Sequence, residues 1–243
     1  MNLLGLESHM SRPIAIIPAR GGSKRIPKKN IREFAGKPAI GYEIEAAINA
    51  TIFSEIIVST DDQEIADISK KFGASIIISR PQSLSDDVTP TVPVIAHAIE
   101  SYLDVNKIEN LEVCCIYPIN PFIESSDLIE GLDLLRLSPQ TSYVLPICSY
   151  PYPIQRSVTF RNSQINMRYP DNALVRSQDL EESFHDAGQW YWGRAETWIA
   201  QEKLLFNSKG IRILRWRCQD IDTEEDWKSA ELLFEAYQKY TQK

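Results

Sequence analysis

The sequence predicts an α/β fold built on a doubly wound, mostly parallel sheet. Three observations predict it. Short apolar runs recur at Ile14–Pro18, Glu55–Ser59, Ser75–Ser79, Glu112–Tyr117 and Ser142–Ile147, as strands buried on both faces require. Segments of helical period separate them, and strands alternating with helices imply parallel crossovers. Polar segments rich in proline or charge follow the runs at their carboxyl ends, where ligands bind in such sheets. The chain has 243 residues, 43% of them hydrophobic and 24% charged, an ordinary balance for one large domain.

Met1–Met10 has neither a basic leader nor a cleavage-site pattern, and reads as a leader with the native start near Met10. A single domain is therefore expected over 11–243. After the first strand, Ile40, Ile44, Ala47 and Ile48 fall at helical spacing. The second strand ends in Thr60-Asp61-Asp62, where a carboxylate reads as the N-cap of a helix over Gln63–Phe72, with Gly73 as its stop. The polar stretch Arg80–Pro93 reads as a loop, Val94–Leu103 and Asp127–Leu137 as helices. From Ser149 to Phe184 the chain is proline-dotted and aromatic without helical period, and reads as an insertion or arm over 149–184. Core-like patterns return at Asp186–Gly193 and Ile211–Trp216. The last segment, Thr223–Tyr240, is a helix opened by Thr223 and Asp226 in capping-box spacing, with Trp227, Ala230, Phe234 and Tyr237 on its inner face.

Composition excludes several function classes. A net charge of −7 argues against general binding of nucleic acid or anionic membrane. No apolar run approaches membrane-span length. The four cysteines, Cys114, Cys115, Cys148 and Cys218, form no CxxC pair, and read as small core residues of a reducing, cytoplasmic compartment rather than a zinc or redox site.

Against this acidic background, six basic residues lie between Arg20 and Arg32 with no acid among them: Arg20, Lys24, Arg25, Lys28, Lys29 and Arg32. Gly21, Gly22 and Ser23 sit inside the run. A buried strand opening into a glycine-bearing loop with several cations suits a polyphosphate. The spacing matches neither the P-loop nor the dinucleotide fingerprint. A second element is Asp220-Ile221-Asp222. Two carboxylates one residue apart on an extended segment point the same way and can share a hard cation such as Mg²⁺. The alternative is that one of them merely caps the last helix, although Thr223 already offers a cap.

Read as Ala19-Arg20-x-x-Ser23-Lys24-x-Ile26-x-x-Lys29-Asn30, the basic loop resembles that of the cytidylyltransferases that activate acidic sugars, the CMP-sialic acid synthetases and their relatives for pseudaminic and legionaminic acid. The resemblance implies a Rossmann-like nucleotidyltransferase fold of the GT-A type. It implies that Arg20 and Lys29 hold the triphosphate, that Ala19, Gly21, Ser23, Lys24 and Asn30 line the nucleotide site, and that Asp220 and Asp222 bind the metal, Asp222 the closer. Arg80-Pro81 with Asp86-Asp87 resembles the loop around the cytosine, where Arg80 either reaches phosphate or only positions the loop. Displacing pyrophosphate needs charge stabilisation on the leaving oxygens, which Arg and Lys supply.

His185-Asp186-Ala187-Gly188-Gln189-Trp190-Tyr191 closely resembles a segment of the pseudaminic acid branch, and Arg176–Gln178 with Asp179-Leu180 also suits that branch. The resemblance makes His185, Asp186 and Gln189 candidates for sugar binding, and Asn120 joins them as the polar side chain left where the chain departs from the sialic acid pattern; a lone histidine such as His185 is more often packed than a general base. Sialic acid enzymes carry Gln-Pro-Thr-Ser-Pro where this chain has Tyr117-Pro118-Ile119-Asn120-Pro121, which fits a different nine-carbon acid. The arm aligns with the family's dimerisation segment, so a homodimer is implied. Its Arg156, Arg168 and Arg176 are either ligands of the sugar carboxylate or solvated cations. The implied reaction joins CTP to pseudaminic acid. Alternatives are the same reaction on N-acetylneuraminic or legionaminic acid, a nucleotide-sugar glycosyltransferase, and a non-catalytic nucleotide-binding regulator.

Overall fold

The structure is a computed structural model that describes residues 12–241; the expected leader Met1–Met10 lies outside them. Among the described residues, eight strands form the main sheet. The parallel half consists of β1 (Ile14–Pro18), β4 (Glu55–Thr60), β5 (Ile76–Ser79) and β6 (Glu112–Ile116), with β1 central between β4 and β6. Near-continuous burial of β1, β4 and β6 explains why they read as unbroken apolar runs, while β5 at the edge is largely half-buried. The short β2 (Glu33–Phe34) and β3 (Lys37–Pro38) pair with each other at the end of the basic loop.

The other half is mixed. β7 (Tyr143–Ser149) pairs antiparallel with β10 (Phe184–Asp186) and β11 (Trp190–Arg194), and parallel with β12 (Ser208–Arg212). Tyr143 and Val144 are matched to both β11 and β12, and Ile147 to both β10 and β12. So β10 and β11 share one edge of β7, and β12 takes the other. β11 also pairs antiparallel with β6, which joins the two halves.

Helices cover both faces. α1 (Ile40–Ala50), α2 (Gln63–Phe72) and α4 (Ser125–Arg136) bury one side of the sheet; α3 (Thr91–Leu103) and α5 (Ala195–Ile199) bury the other. α6 (Glu224–Thr241) lays Trp227, Ala230 and Phe234 on Phe34, Tyr42 and Phe122. The caps act as their chemistry requires. Asp62 accepts from the N–H groups of Glu64 and Ile65, and Gly73 ends α2 at φ 108°. The Asp226 carboxylate takes the N–H and hydroxyl of Thr223, whose Oγ1 accepts the Asp226 N–H.

Two expectations shift. α3 starts at Thr91, three residues before the expected helix, because Pro93 falls in the first turn, where no N–H is needed. The preceding loop is correspondingly shorter and holds a 3-10 turn at Gln82–Leu84. The arm is the hairpin of β8 (Val158–Arg161) and β9 (Gln164–Met167) linked by 3-10 turns, and stands apart from the main sheet.

Candidate active site

The carboxyl ends of β1, β5 and β6, the turn between β10 and β11, and the segment before α6 enclose one cavity of about 970 Å³. The basic loop forms one end. Ala19 is wholly buried and extends the ladder through its N–H to the Ser59 carbonyl. The buried Asn30 pins the loop by donating to the Arg20 carbonyl at 2.8 Å. Gly21 donates its N–H to Asp61 Oδ1 at 2.9 Å, and a Cβ there would lie 2.7 Å from the Asp62 carboxylate. Ala19 and Gly21 therefore shape the loop from behind the cavity wall, which Arg20, Ser23, Lys24, Arg25, Lys29 and Asn30 form.

The run without neighbouring acids in sequence meets them in space. Arg20 and Lys24 share Asp87, Arg20 at 2.5 Å. Arg25 and Lys29 share Asp222 at 2.9 and 3.2 Å. Lys28 pairs with Glu64, and Arg32 with Glu224. Lys24 and then Arg20 hold the Asp87 carboxyl below its usual range. The cytosine-loop candidates line the same cavity. Arg80 is almost fully buried, donates to the Ser59 carbonyl at 2.9 Å, and leaves its Nε without a partner among the described residues. Burial lowers its pKa. The Asp86 carboxylate is taken by the hydroxyl and N–H of Thr89 and the N–H of Val88, while its carbonyl accepts from Arg20 at 2.9 Å. Its side chain thus organises the loop.

Asp220 and Asp222 also line the cavity. Asp226 and Thr223 make the helix cap, and Asp226 accepts the backbone N–H of Asp222 as well, so neither carboxylate of the pair is used there. Burial, then the nearby Asp222 charge, pushes Asp220 up. Two crowded carboxylates in a half-buried wall are a donor set that a hard divalent cation suits, with phosphate and water oxygens completing it.

The other end is built from hydrogen bonds rather than ion pairs. Asn120 donates through Nδ2 to the carbonyls of Tyr117 and Gly188 at 3.1 and 3.2 Å, and through its N–H to the buried Glu43. The preceding Ile119 holds φ 70°, an unusual region for a β-branched residue. Asp186 accepts from the Gly188 N–H at 2.7 Å and the Tyr191 hydroxyl at 2.6 Å. Tyr191 packs on Tyr117, whose hydroxyl donates to Thr91 Oγ1 at 2.7 Å. Burial raises both phenols, so they remain neutral donors. His185 Nδ1–H donates to the Asp186 carbonyl at 2.9 Å.

Asn120, His185 and Asp186 thus meet at this end, as the sequence suggested. Gln189 does not join them. Gly188 turns the chain at φ 64°, and Gln189 is fully buried with its Nε2 donating to the Arg217 carbonyl at 2.7 Å. Arg156, Arg168 and Arg176 stay on the arm, outside this chain's cavity wall. Arg156 donates to the Val175 carbonyl at 2.5 Å, and Arg176 pairs with Asp179 at 2.7 Å. Sequence reasoning gave no site role of their own to Arg25, Asp87 and Tyr191, which it named within larger segments, and missed Thr91. The first two adjoin residues already singled out and Tyr191 lies within the quoted His185 segment; Thr91 carried no signal.

A family model described as cytidylyltransferase matches residues 14–242. A pseudaminic acid cytidylyltransferase of Campylobacter jejuni subsp. jejuni is 37% identical over 223 residues, covering 91% of this chain and 95% of the relative. A CMP-N,N'-diacetyllegionaminic acid synthase of Legionella pneumophila is 29% identical over 236 residues, covering 93% and 98%. Among solved structures, a CMP:2-keto-3-deoxy-manno-octonic acid synthetase complexed with CTP matches in fold with TM-score 0.69 at 18% identity, covering 93% of this chain and all of the other.

Proposed function

The chain belongs to the cytidylyltransferase family, and on that footing we propose that it transfers CMP from CTP to the anomeric hydroxyl of pseudaminic acid, releasing pyrophosphate. The observation that carries this reading is one cavity with two unlike ends: a cation-rich loop beside an acidic pair, and a hydrogen-bonding wall at Asn120, His185 and Asp186. The first suits a triphosphate, the second the hydroxyl and acetamido groups of a sugar.

The sugar hydroxyl attacks the α-phosphate in line, without a covalent enzyme intermediate. Arg20 and Lys29 stabilise charge on the phosphate oxygens, and the loop holds the reacting groups together. Asp220 and Asp222 would hold Mg²⁺, which when bound offsets triphosphate charge and acidifies the attacking hydroxyl. No helix among the described residues is long and apolar enough to cross a membrane. The arm exposes Tyr152, Phe160, Ile165 and Leu174, the middle two on its hairpin, which supports its use in self-association as a homodimer that brings Arg156, Arg168 or Arg176 to a partner's cavity.

The test is pyrophosphate release from CTP and Mg²⁺ with a panel of nine-carbon acids. Turnover is expected with pseudaminic acid. Turnover with N-acetylneuraminic or legionaminic acid and none with pseudaminic acid overturns the acceptor assignment; CTP binding without turnover on any acid overturns the activity.

A further inference from the structure

The geometry points to a second, soft-metal site: Cys148, His185 and Cys218 bind a zinc-class divalent ion at the acceptor end of the cavity. The three come from separate segments. Cys148 lies in β7, His185 faces it in the β10 ladder, and Cys218 follows the 3-10 turn Arg215–Arg217. One ligand atom from each lies within 4.8 Å of the others, and among the described residues theirs is the one cluster of three or more such groups. Tetrahedral Zn²⁺ with bonds of about 2.3 Å to sulfur sets the sulfurs about 3.8 Å apart, so small side-chain rotations close the set.

The surroundings favour that closure. Each thiol makes a weak contact to a carbonyl, Cys148 to Ser149 at 3.6 Å and Cys218 to Ala187 at 3.7 Å, and the two thiols contact each other, so only weak sulfur hydrogen bonds are lost when sulfur turns to a metal. The Asp186 carbonyl can only accept, so its contact with His185 fixes the proton on Nδ1 and leaves Nε2 as the lone-pair nitrogen. A backbone carbonyl orienting an imidazole in this way is the usual support of a metal-ligating histidine. The Asp186 carboxylate is already committed to Gly188 and Tyr191, which leaves a fourth position for solvent. His185 and Cys218 line the cavity, so that position opens towards it.

Chemistry separates this site from the acidic pair. Thiolates and imidazole select zinc-class ions, while the carboxylates of Asp220 and Asp222 suit Mg²⁺. The ion replaces a proton on each sulfur as two thiolate bonds form. Binding ties the segment leading to Asp220 onto β7 and β10 and narrows the acceptor end, so zinc inhibits by competing with the sugar.

The site is tested on the reduced, chelator-treated full chain without nucleotide or sugar, so its outcome is independent of the activity assay. Titration with Co²⁺ is expected to give a thiolate-to-cobalt charge-transfer band that saturates at one equivalent. Zn²⁺ displaces it, two protons are released, and excess Mg²⁺ leaves it unchanged. Cys148 lies outside the cavity wall, so Cys148→Ala keeps Mg²⁺-dependent turnover. It loses zinc affinity by more than the roughly 10–100-fold that loss of a supporting partner costs. His185→Gln keeps both thiols, retains the band and weakens affinity, which guards against poor folding of the first variant. Cobalt binding without the band, its removal by Mg²⁺, or unchanged zinc affinity in both variants overturns the site.

Discussion

At the phosphate end of the cavity, cations meet carboxylates across exposed or half-buried surface, whereas at the acceptor end polar groups are fixed by half-buried and buried hydrogen bonds. Arg20 and Lys24 on Asp87, and Arg25 and Lys29 on Asp222, are partners of opposite charge that a triphosphate and its metal can replace. Exposed ion pairs contribute little to stability, so exchanging one anion for another costs little. Asn120 and Asp186 instead have partners, Glu43, Gly188 and Tyr191, that are fixed before any ligand arrives. One end is adaptable and charge-driven; the other is set in shape, as selection among similar sugars requires.

The largest effect that breaks this contrast comes from Asp222→Ala. Turnover is expected to fall about 10²–10³-fold, in the range of losing one transition-state stabilising group. CTP affinity should not fall with it, because the change releases Arg25 and Lys29. Near-normal turnover in steady-state assays with Mg²⁺ shows that Asp222 is not a metal ligand. At the other end, Tyr191→Phe removes a hydroxyl donated to a carboxylate and is expected to raise the acceptor KM about tenfold with the CTP KM unchanged. A rise in both constants dissolves the distinction between the ends.

A smaller change runs in the opposite direction. Asp87→Ala removes the carboxylate that competes for Arg20 and Lys24, so the CTP KM should fall about two- to fivefold at low ionic strength. The gain should vanish near 1 M salt, where the screening length is about 3 Å. A raised KM at low salt shows instead that Asp87 serves the nucleotide directly.

The two ends also differed in how far they could be read from the chain. The phosphate end was legible because its cations are contiguous, its strand is an unbroken apolar run, and the acidic pair precedes a helix with its own capping box. Alternation of apolar runs and helical segments likewise gave the parallel half of the sheet. The acceptor end was legible only through the His185 segment and Asn120, because its other parts meet across long separations. Glu43 reaches Asn120 from 77 residues away, and Cys148, His185 and Cys218 have no spacing that marks a shared site. Gln189 looked available because its neighbours are, but the left-handed turn at Gly188 sends it into the core. The acids that meet the basic loop come from α2, the loop before α3 and the start of α6, so their arrival is a property of the fold.

The smallest predicted effect concerns Glu43, the group that backs the acceptor end. Its side chain is fully buried in α1 and accepts the Asn120 N–H behind a residue held at positive φ. Burial raises its pKa from 4.5 to about 8, against the opposing effect of the Asn120 N–H. Between those two values the folded chain keeps a proton that the unfolded chain releases, so folding takes up a proton. The unfolding free energy therefore declines as pH rises from about 4.5 to about 8, with no further slope from this group outside that window. Glu43→Gln keeps a carbonyl oxygen for the Asn120 N–H and cannot ionise. Its melting temperature is expected to fall less than the parent's over that window, the gap widening towards pH 8, with each kcal/mol worth about 2–4 °C. Turnover at pH 6 should stay within about twofold, because the neutral parent side chain and the amide present the same acceptor. Parallel melting curves across the window show that Glu43 is charged in the folded chain, and the acceptor end then rests on a buried ion, unlike the exposed pairs of the phosphate end.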